Sequence, residues 1–232
     1  MLNIDIPESK SQISYVDNDT LDKFADVVVN DFAPEYMQEP KPLDTEHFTK
    51  DYLKLNIAYA RISSDRQTSG MIAFDNGAVQ VINEHTGEPE LLPVSAGTVI
   101  IEPTLMKPRY LPRMRFTLMH EASHWLLHRQ AYTMDDRLGN HSKRIERQAD
   151  FLASALLMPR EPLRLVLRDF FKLHNEPPHR LVRGNGTIDD VLAIQLPRFT
   201  ATRFGVSQHA ALIRLEKLDA IAGKPMRSQY TG

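Results

Sequence analysis

The chain has 232 residues and a formal net charge of −2, with 42% hydrophobic and 25% charged side chains. These proportions are typical of a folded globular protein with one large domain or one domain and an appendage, and they exclude a disordered or fibrous chain. The sequence contains no cysteine, which excludes disulfides, thiolate ligands and iron–sulfur clusters, so any metal ion must be held by nitrogen and oxygen atoms.

The N-terminal region carries no recognisable targeting signal and is predicted to be helical. It lacks the basic stretch and apolar run of a signal peptide, and no apolar run in the chain approaches the ~20 residues that span a bilayer. We therefore expect a cytoplasmic protein that does not associate with a membrane. Apolar residues at helical spacing predict a first helix over residues 19–32. Residues 45–56 predict a short second helix that begins at Thr45.

Residues 57–101 have a different character, with short β-branched and aromatic runs that are separated by Gly, Asn, Asp and Pro. Three or four strands are predicted there. Because no long helical pattern intervenes between them, the strands are expected to be neighbours in a small, mostly antiparallel sheet.

The rest of the chain is predicted to be helical, which makes the fold class α+β. The expected order is N-terminal helices, the small sheet, two helices that carry a candidate site, and a helical C-terminal extension. We predict a first domain at residues 1–160, which contains that site, and the extension at residues 161–232. Helical patterns are found at residues 114–130, 142–159, 161–174, 187–199 and 207–221.

The string His120-Glu121-Ala122-Ser123-His124 is an HExxH motif inside a predicted helix. The two histidines are four positions apart, so they share one face of the helix and both imidazoles can reach one cation. Glu121 lies on the adjoining edge, where it can act as a general base toward the attacking water. The motif predicts a zinc site, although two histidines and a salt-bridging glutamate also occur together by chance.

A catalytic zinc site needs a third protein ligand. His128 is eight residues from His120, which is about 12 Å along a helix, so one straight helix cannot offer all three histidines to one ion. The alternative motif HExxHxxGxxH is excluded, because this chain has Leu127 and Gln130 at the positions of its glycine and third histidine.

Glu146 on the following predicted helix is a better third ligand. If that helix packs antiparallel to the HExxH helix, Glu146 completes a His, His, Glu set, and Asp150 can accept the free N–H of a ligand histidine. The same helix has an apolar stripe that predicts a separate core-facing side, formed by Ile145, Ala149, Leu152 and Leu156.

These residues predict hydrolysis of a peptide bond, in which Glu121 takes a proton from water and passes it to the leaving amine. A second donor must stabilise the charge that develops on the carbonyl oxygen. The sequence leaves five candidates open, namely Tyr110, Arg113, Arg115, Tyr132 and His141.

The segments RFTLMHEASHWLLH and ERQADFLASALLMP resemble the ImmA/IrrE family of bacterial metallopeptidases, and the resemblance is strongest over residues 113–160. It implies a thermolysin-like site in which His120, His124 and Glu146 are similar to the zinc ligands of the family and Glu121 to its catalytic residue. Manganese could replace zinc in the cell.

The resemblance also implies a regulatory role. Members of the family typically cleave a helix-turn-helix repressor, often one encoded beside them on a mobile element, and thereby derepress genes. The sequence departs from the commonest family pattern at Ala122 and Ser123, where many relatives have Leu-Gly, and at Asp150, where Asn is frequent. None of these positions is one of the three metal ligands.

The C-terminal segment at residues 197–216 resembles a helix-turn-helix, with Gly205 at the turn and Ser207 as the cap of the second helix. A DNA-binding function would place Gln208, Arg214 and Lys217 against the nucleic acid. We favour a helical pair that only packs, because the second helix offers few long polar side chains near its start. The alternative to a peptidase is therefore a non-catalytic DNA-binding or sensor regulator that uses a zincin-like pocket.

Overall fold

The computed structural model describes residues 16–129, 142–184 and 186–223. They form two compact units, and each unit is built from two separate stretches of the chain. The first unit comprises the residues up to Ala25 together with Asp44–Ala153, and the second comprises Asp26–Leu43 together with the residues from Ser154 onward. The predicted division into a domain at residues 1–160 and a helical extension at residues 161–232 stays a prediction.

Strands and helices fall mostly in separate runs along the described residues, with strands over residues 56–101 followed by helices over residues 111–173, which confirms the predicted α+β class. The helices are α1 (Asn18–Phe32), α2 (Thr45–His47, continued by a π-helix at Phe48–Tyr52), α3 (Leu111–His128), α4 (Ser142–Leu157), α5 (Arg160–Leu173), α6 (Ile188–Phe204) and α7 (Gln208–Lys217). The strands are β1 (Asn56–Tyr59), β2 (Gly70–Ala73), β3 (Gly77–Ile82), β4 (Pro89–Val94), β5 (Thr98–Ile101), β6 (Leu181–Val182) and β7 (Ile221–Ala222). Over these parts of the chain, every helix falls short of the length and hydrophobicity that crossing a bilayer requires.

The strands of the first unit form two small sheets. The first has the order β1-β5-β2, with β5 parallel to β1 and antiparallel to β2, and the second is the antiparallel hairpin of β3 and β4. Two of these three pairings are antiparallel, as predicted, but the region forms five strands in two sheets, whereas three or four strands in one sheet were predicted. All four residues of β5 are buried, because this central strand has a neighbour on each side and both of its faces are covered.

Helix α3 packs against the first sheet through an apolar cluster. This packing places one side of α3 in the core and leaves the side with the HExxH histidines available for a site. Burial of such a set of apolar side chains is the main stabilising contribution to this packing. The cluster consists of Leu55, Val99, Ile101, Leu105, Met114 and Leu118.

Helix α2 begins at Thr45, as predicted, and Asp44 caps it, since the Asp44 side chain accepts a hydrogen bond from the backbone N–H of His47. The start of α3 differs from the prediction. Helix α3 begins at Leu111, three residues before the predicted start. Pro112 lies in its first turn, where proline is tolerated because an N–H at that position has no partner within the helix.

The helix pair of α6 and α7 in the second unit has the predicted turn. Gly205 ends α6 in the left-handed conformation with φ of 63°, which a residue without Cβ adopts at little cost. Ser207 caps α7 by accepting a hydrogen bond from the backbone N–H of Ala210 at 3.1 Å. Ala201 and Ala211 are both buried, so the two helices approach closely.

Arg214 is not a surface residue, and its prediction as a DNA contact is wrong. Its side chain is 1% exposed, and its Nε–H donates a hydrogen bond to the backbone carbonyl of Met158 at 3.1 Å. A guanidinium held inside the second unit cannot reach a phosphate. The other two predicted contacts, Gln208 and Lys217, are exposed, and their contact with DNA stays a prediction.

We expect Arg214→Ala to lower the free energy of unfolding by about 1 to 3 kcal/mol, because the buried Met158 carbonyl would lose its donor. Lys217→Ala removes a similar charge from an exposed position of the same helix and should change the free energy of unfolding by less than about 0.5 kcal/mol. Urea denaturation of both variants measures the difference. Equal and small effects would contradict a structural role for Arg214.

Candidate metal centre

The two histidines of the HExxH motif point toward one position. His120 and His124 are one turn apart on α3, and their Nε2 atoms are 3.0 Å apart. His124 is 5% exposed, whereas His120 lies nearer the surface. The i, i+4 spacing predicted from the sequence therefore brings both imidazoles together.

Glu146 reaches the same position from α4. Its Oε2 lies 3.2 Å from Nε2 of His120, and its Oε1 lies 3.5 Å from Nε2 of His124. Helix α4 is oriented by its apolar stripe, because burial of that stripe turns Glu146 and Asp150 toward α3. All four residues of the stripe are buried, namely Ile145, Ala149, Leu152 and Leu156.

The donor set fits a tetrahedral divalent ion. Zinc bonds to nitrogen and oxygen of ~2.0 to 2.1 Å correspond to separations of about 3.3 to 3.4 Å between neighbouring ligand atoms. Here the two Nε2 atoms are 3.0 Å apart, and the two oxygens of Glu146 lie 3.2 Å from Nε2 of His120 and 3.5 Å from Nε2 of His124. Each of these contacts is close to that value. Over the described parts of the chain, His120, His124 and Glu146 form the one group of three such side chains with converging ligand atoms.

Two carboxylates hold the imidazole of His120. Asp150 Oδ1 lies 2.9 Å from its Nδ1, and Glu146 lies beside its Nε2. Burial by itself lowers the pKa of His120, but the hydrogen bonds to Asp150 and Glu146 outweigh burial and raise the pKa to about 10. The same contacts with His120 and His124 hold the pKa of Glu146 well below its usual range. This cluster therefore favours a positive charge at the position between the ligands.

Glu121 lies beside the two histidines and faces a cleft. Its side chain is buried, and burial raises the pKa of its carboxyl, although His120 and His124 act in the opposite direction. Gly70 of β2 approaches it so closely that an added Cβ would lie 3.0 Å from Glu121 Oε1 and 2.5 Å from Thr117 Cγ2. Only glycine leaves room for this approach.

The cleft runs between β2 and α3 and has a volume of about 650 Å³. Met71 and Ile72 of β2 and Phe116 of α3 form apolar parts of its wall, and the candidate ligands and Glu121 also line it. β2 is an edge strand of its sheet. Arg113 lies at the cleft as well, and its Nη2 donates a hydrogen bond to Ser69 Oγ at 2.6 Å.

His128 lies behind His124 and away from the candidate ligand position. Its Nδ1 is 3.3 Å from Nδ1 of His124, and its Nε2 is 3.3 Å from Oε1 of Gln148. Burial is the main reason why the pKa of His128 is lowered to about 4. His128 is therefore a neutral residue. Both of its ring nitrogens face other side chains, in agreement with the prediction that it does not bind the ion directly.

Other functional candidates fall into three groups. Of the five candidate donors for the carbonyl oxygen, Tyr132 and His141 lie outside the described residues, and Arg113 lines the cleft. Tyr110 packs against the apolar cluster instead, and Arg115 is half-buried and is not among the residues that line the cleft. Gly70 and Gln148 were not predicted from the sequence as site residues. A polar residue on the apolar stripe of α4 was the available signal for Gln148, whereas a lone glycine at a strand start gives none.

Comparison with known families identifies this region. A family model described as the IrrE N-terminal-like domain, which is a peptidase family, matches residues 109–216. The matched residues contain α3 and α4, and with them all three candidate ligands. No curated protein matches the chain with significant similarity.

Zinc affinity should rise with pH, because the Nε2 atom of His120 must lose its proton before it can bind a cation. With a pKa of about 10, His120 is protonated at neutral pH, so we expect affinity to increase about tenfold per pH unit between pH 6 and 8. Competition with a chromophoric chelator of known protonation measures it. The control His85→Ala, on an exposed turn, should behave as the unmodified protein does. A flat profile would contradict His120 as a ligand.

Proposed function

Because the chain belongs to the ImmA/IrrE family through its IrrE N-terminal-like domain at residues 109–216, we propose that it is a zinc-dependent endopeptidase. The observation that carries the proposal is the convergence of His120, His124 and Glu146 on one position, with Glu121 beside them in a cleft. A peptidase-like function follows from the family, whereas zinc, the catalytic roles and the substrate are proposals.

The donor set supports zinc as the ion. Two imidazoles and one carboxylate, with room for a fourth group, form one of the ligand sets that catalytic zinc uses. Manganese prefers sites that are richer in oxygen, so we regard it as the less suitable ion. His120, His124 and Glu146 would hold the metal, and Asp150 would fix His120 through its Nδ1–H.

Glu121 acts as the general base and then as the general acid. A bound zinc ion supplies Lewis acidity toward the attacking water and the carbonyl group. Glu121 accepts a proton from the water and later donates it to the leaving amine. Its burial supports both steps, because a raised pKa makes the protonated carboxyl easier to form than at an exposed position.

The cleft supports an extended peptide as the substrate. A peptide chain can pair with the edge strand β2. Backbone hydrogen bonds would then hold the main chain of the peptide, and alternate side chains of the peptide would enter the cleft. Gly70 at the start of β2 brings this strand close to Glu121. Arg113 would then donate to the carbonyl oxygen as negative charge develops there.

The substrate in this proposal is one specific protein, a helix-turn-helix transcriptional repressor. The support is the family resemblance, which implies regulated removal of a repressor that is often encoded on the same mobile element. Cleavage would derepress the genes that the repressor controls, and both proteins would act in the cytoplasm. The DNA-binding alternative has less support, because one of its three proposed contacts, Arg214, is buried.

We expect Glu121→Gln to abolish cleavage while zinc remains bound, because Glu121 is not one of the converging ligands. His120→Ala should lose both zinc and activity. Host cells that express each form are compared by mass spectrometry of newly formed protein N-termini, and the purified proteins are analysed for metal content. New N-termini should appear only with the unmodified protein and should fall within a repressor. Identical N-termini with Glu121→Gln would refute catalysis.

Gly70→Ala should reduce the cleavage rate of the substrate so identified on the order of 100-fold, because the added Cβ would displace Thr117 or Glu121. Zinc content should not change, since the three ligands lie on other elements. Gly77→Ala is the matched control, because a Cβ at Gly77 would meet no atom within 4 Å, and its rate should remain normal. Equal rates for the two variants would contradict the close approach of β2 to Glu121.

A further inference from the structure

We propose that His128 and Gln148 form a positioning pair that fixes the tautomer and ring orientation of His124. The inference rests on the proposed metal site and adds two residues to it. Neither residue is placed to bind the ion. Both act on the ligand histidine from the side that faces the protein interior.

The contacts form a continuous chain of polar atoms. Nδ1 of His124 lies 3.3 Å from Nδ1 of His128, and Nε2 of His128 lies 3.3 Å from Oε1 of Gln148. All three side chains are buried, with exposures of 5%, 1% and 5% for His124, His128 and Gln148. Buried polar groups need a hydrogen-bond partner, because a buried donor or acceptor without one destabilises the fold.

The chemistry of these atoms fixes where each proton lies. An amide oxygen can only accept, so Nε2 of His128 carries the hydrogen that Gln148 receives. In a neutral imidazole the other nitrogen is then unprotonated, so Nδ1 of His128 accepts. Nδ1 of His124 must therefore donate, which leaves the lone pair on Nε2 of His124 free to bind an ion at the position between the ligands.

The two ligand histidines are thus held in different ways. Asp150, which is exposed, holds His120 with a negative charge. His124 is buried, and a second carboxylate at that depth would require a compensating charge. A neutral histidine and a neutral amide hold His124 without adding any charge.

The sequence places the pair by ordinary helical geometry. His128 is one turn after His124 on α3, so its ring lies next to that of His124, with ring centroids 5.4 Å apart. Gln148 belongs to the buried stripe of α4, next to Ala149 and one turn after Ile145. A polar side chain on an otherwise apolar stripe indicates a buried partner.

Two substitutions of similar size separate positioning from packing. In His128→Asn the amide oxygen can take the place of Nδ1 and accept from His124, whereas His128→Leu leaves no acceptor. We expect His128→Leu to weaken zinc binding 10- to 100-fold, on the scale of losses at such supporting residues, and His128→Asn to remain within about threefold of the unmodified protein. Chelator competition measures the affinities, with thermal unfolding of the zinc-free proteins as the test of folding.

Nitrogen-15 NMR of the imidazole rings in the zinc-free protein gives a readout that does not depend on metal. It should show His128 as the neutral tautomer with hydrogen on Nε2. Hydrogen on Nδ1 of His128, or equal zinc affinities for the two variants, would overturn the proposal. If His128→Leu does not fold, His128→Asn and the NMR spectrum decide. Failure of the unmodified protein to bind zinc would refute the proposed function, while the NMR spectrum would still test the pair.

Discussion

The convergence of two imidazoles and one carboxylate on a single position is the constraint on which the first unit depends. The imidazoles come from one turn of α3, and the carboxylate comes from α4. The separations between their ligand atoms must hold to a few tenths of an ångström for one ion to bind all three. Both helices are therefore fixed by burial: α3 packs through Met114 and Leu118, and α4 buries its apolar stripe.

The charges around this position are arranged so that a cation is favoured. Asp150 and Glu146 draw positive charge to His120, and the pKa of Glu146 is lowered in return. Glu121 is next to them but buried, which shifts its pKa in the opposite direction. Neighbouring carboxyl groups with pKa values pushed apart are typical of sites in which one binds and another transfers protons.

Where the sequence prediction was wrong, long-range packing was responsible. Arg214 fits the pattern of a charged residue on an exposed helix face, yet the structure buries it against the carbonyl of Met158, which is 56 residues away in the chain. Gly70 shows no distinguishing feature in the sequence, and its close approach to Glu121 exists only because β2 lies against α3. Neither contact can be predicted from the spacing or composition of neighbouring residues in the sequence.

The sequence by itself determined the α+β class, the helices around the HExxH motif and the candidate ligands, because the periods of strands and helices and the i, i+4 spacing of the two histidines are local patterns. The tertiary structure decided which atoms of those residues meet. The distances from Glu146 to the histidines, the cleft beside β2 and the contact of His128 with Gln148 each join residues from different elements. Such contacts arise from burial of apolar surface across the whole unit, and a local pattern cannot specify them.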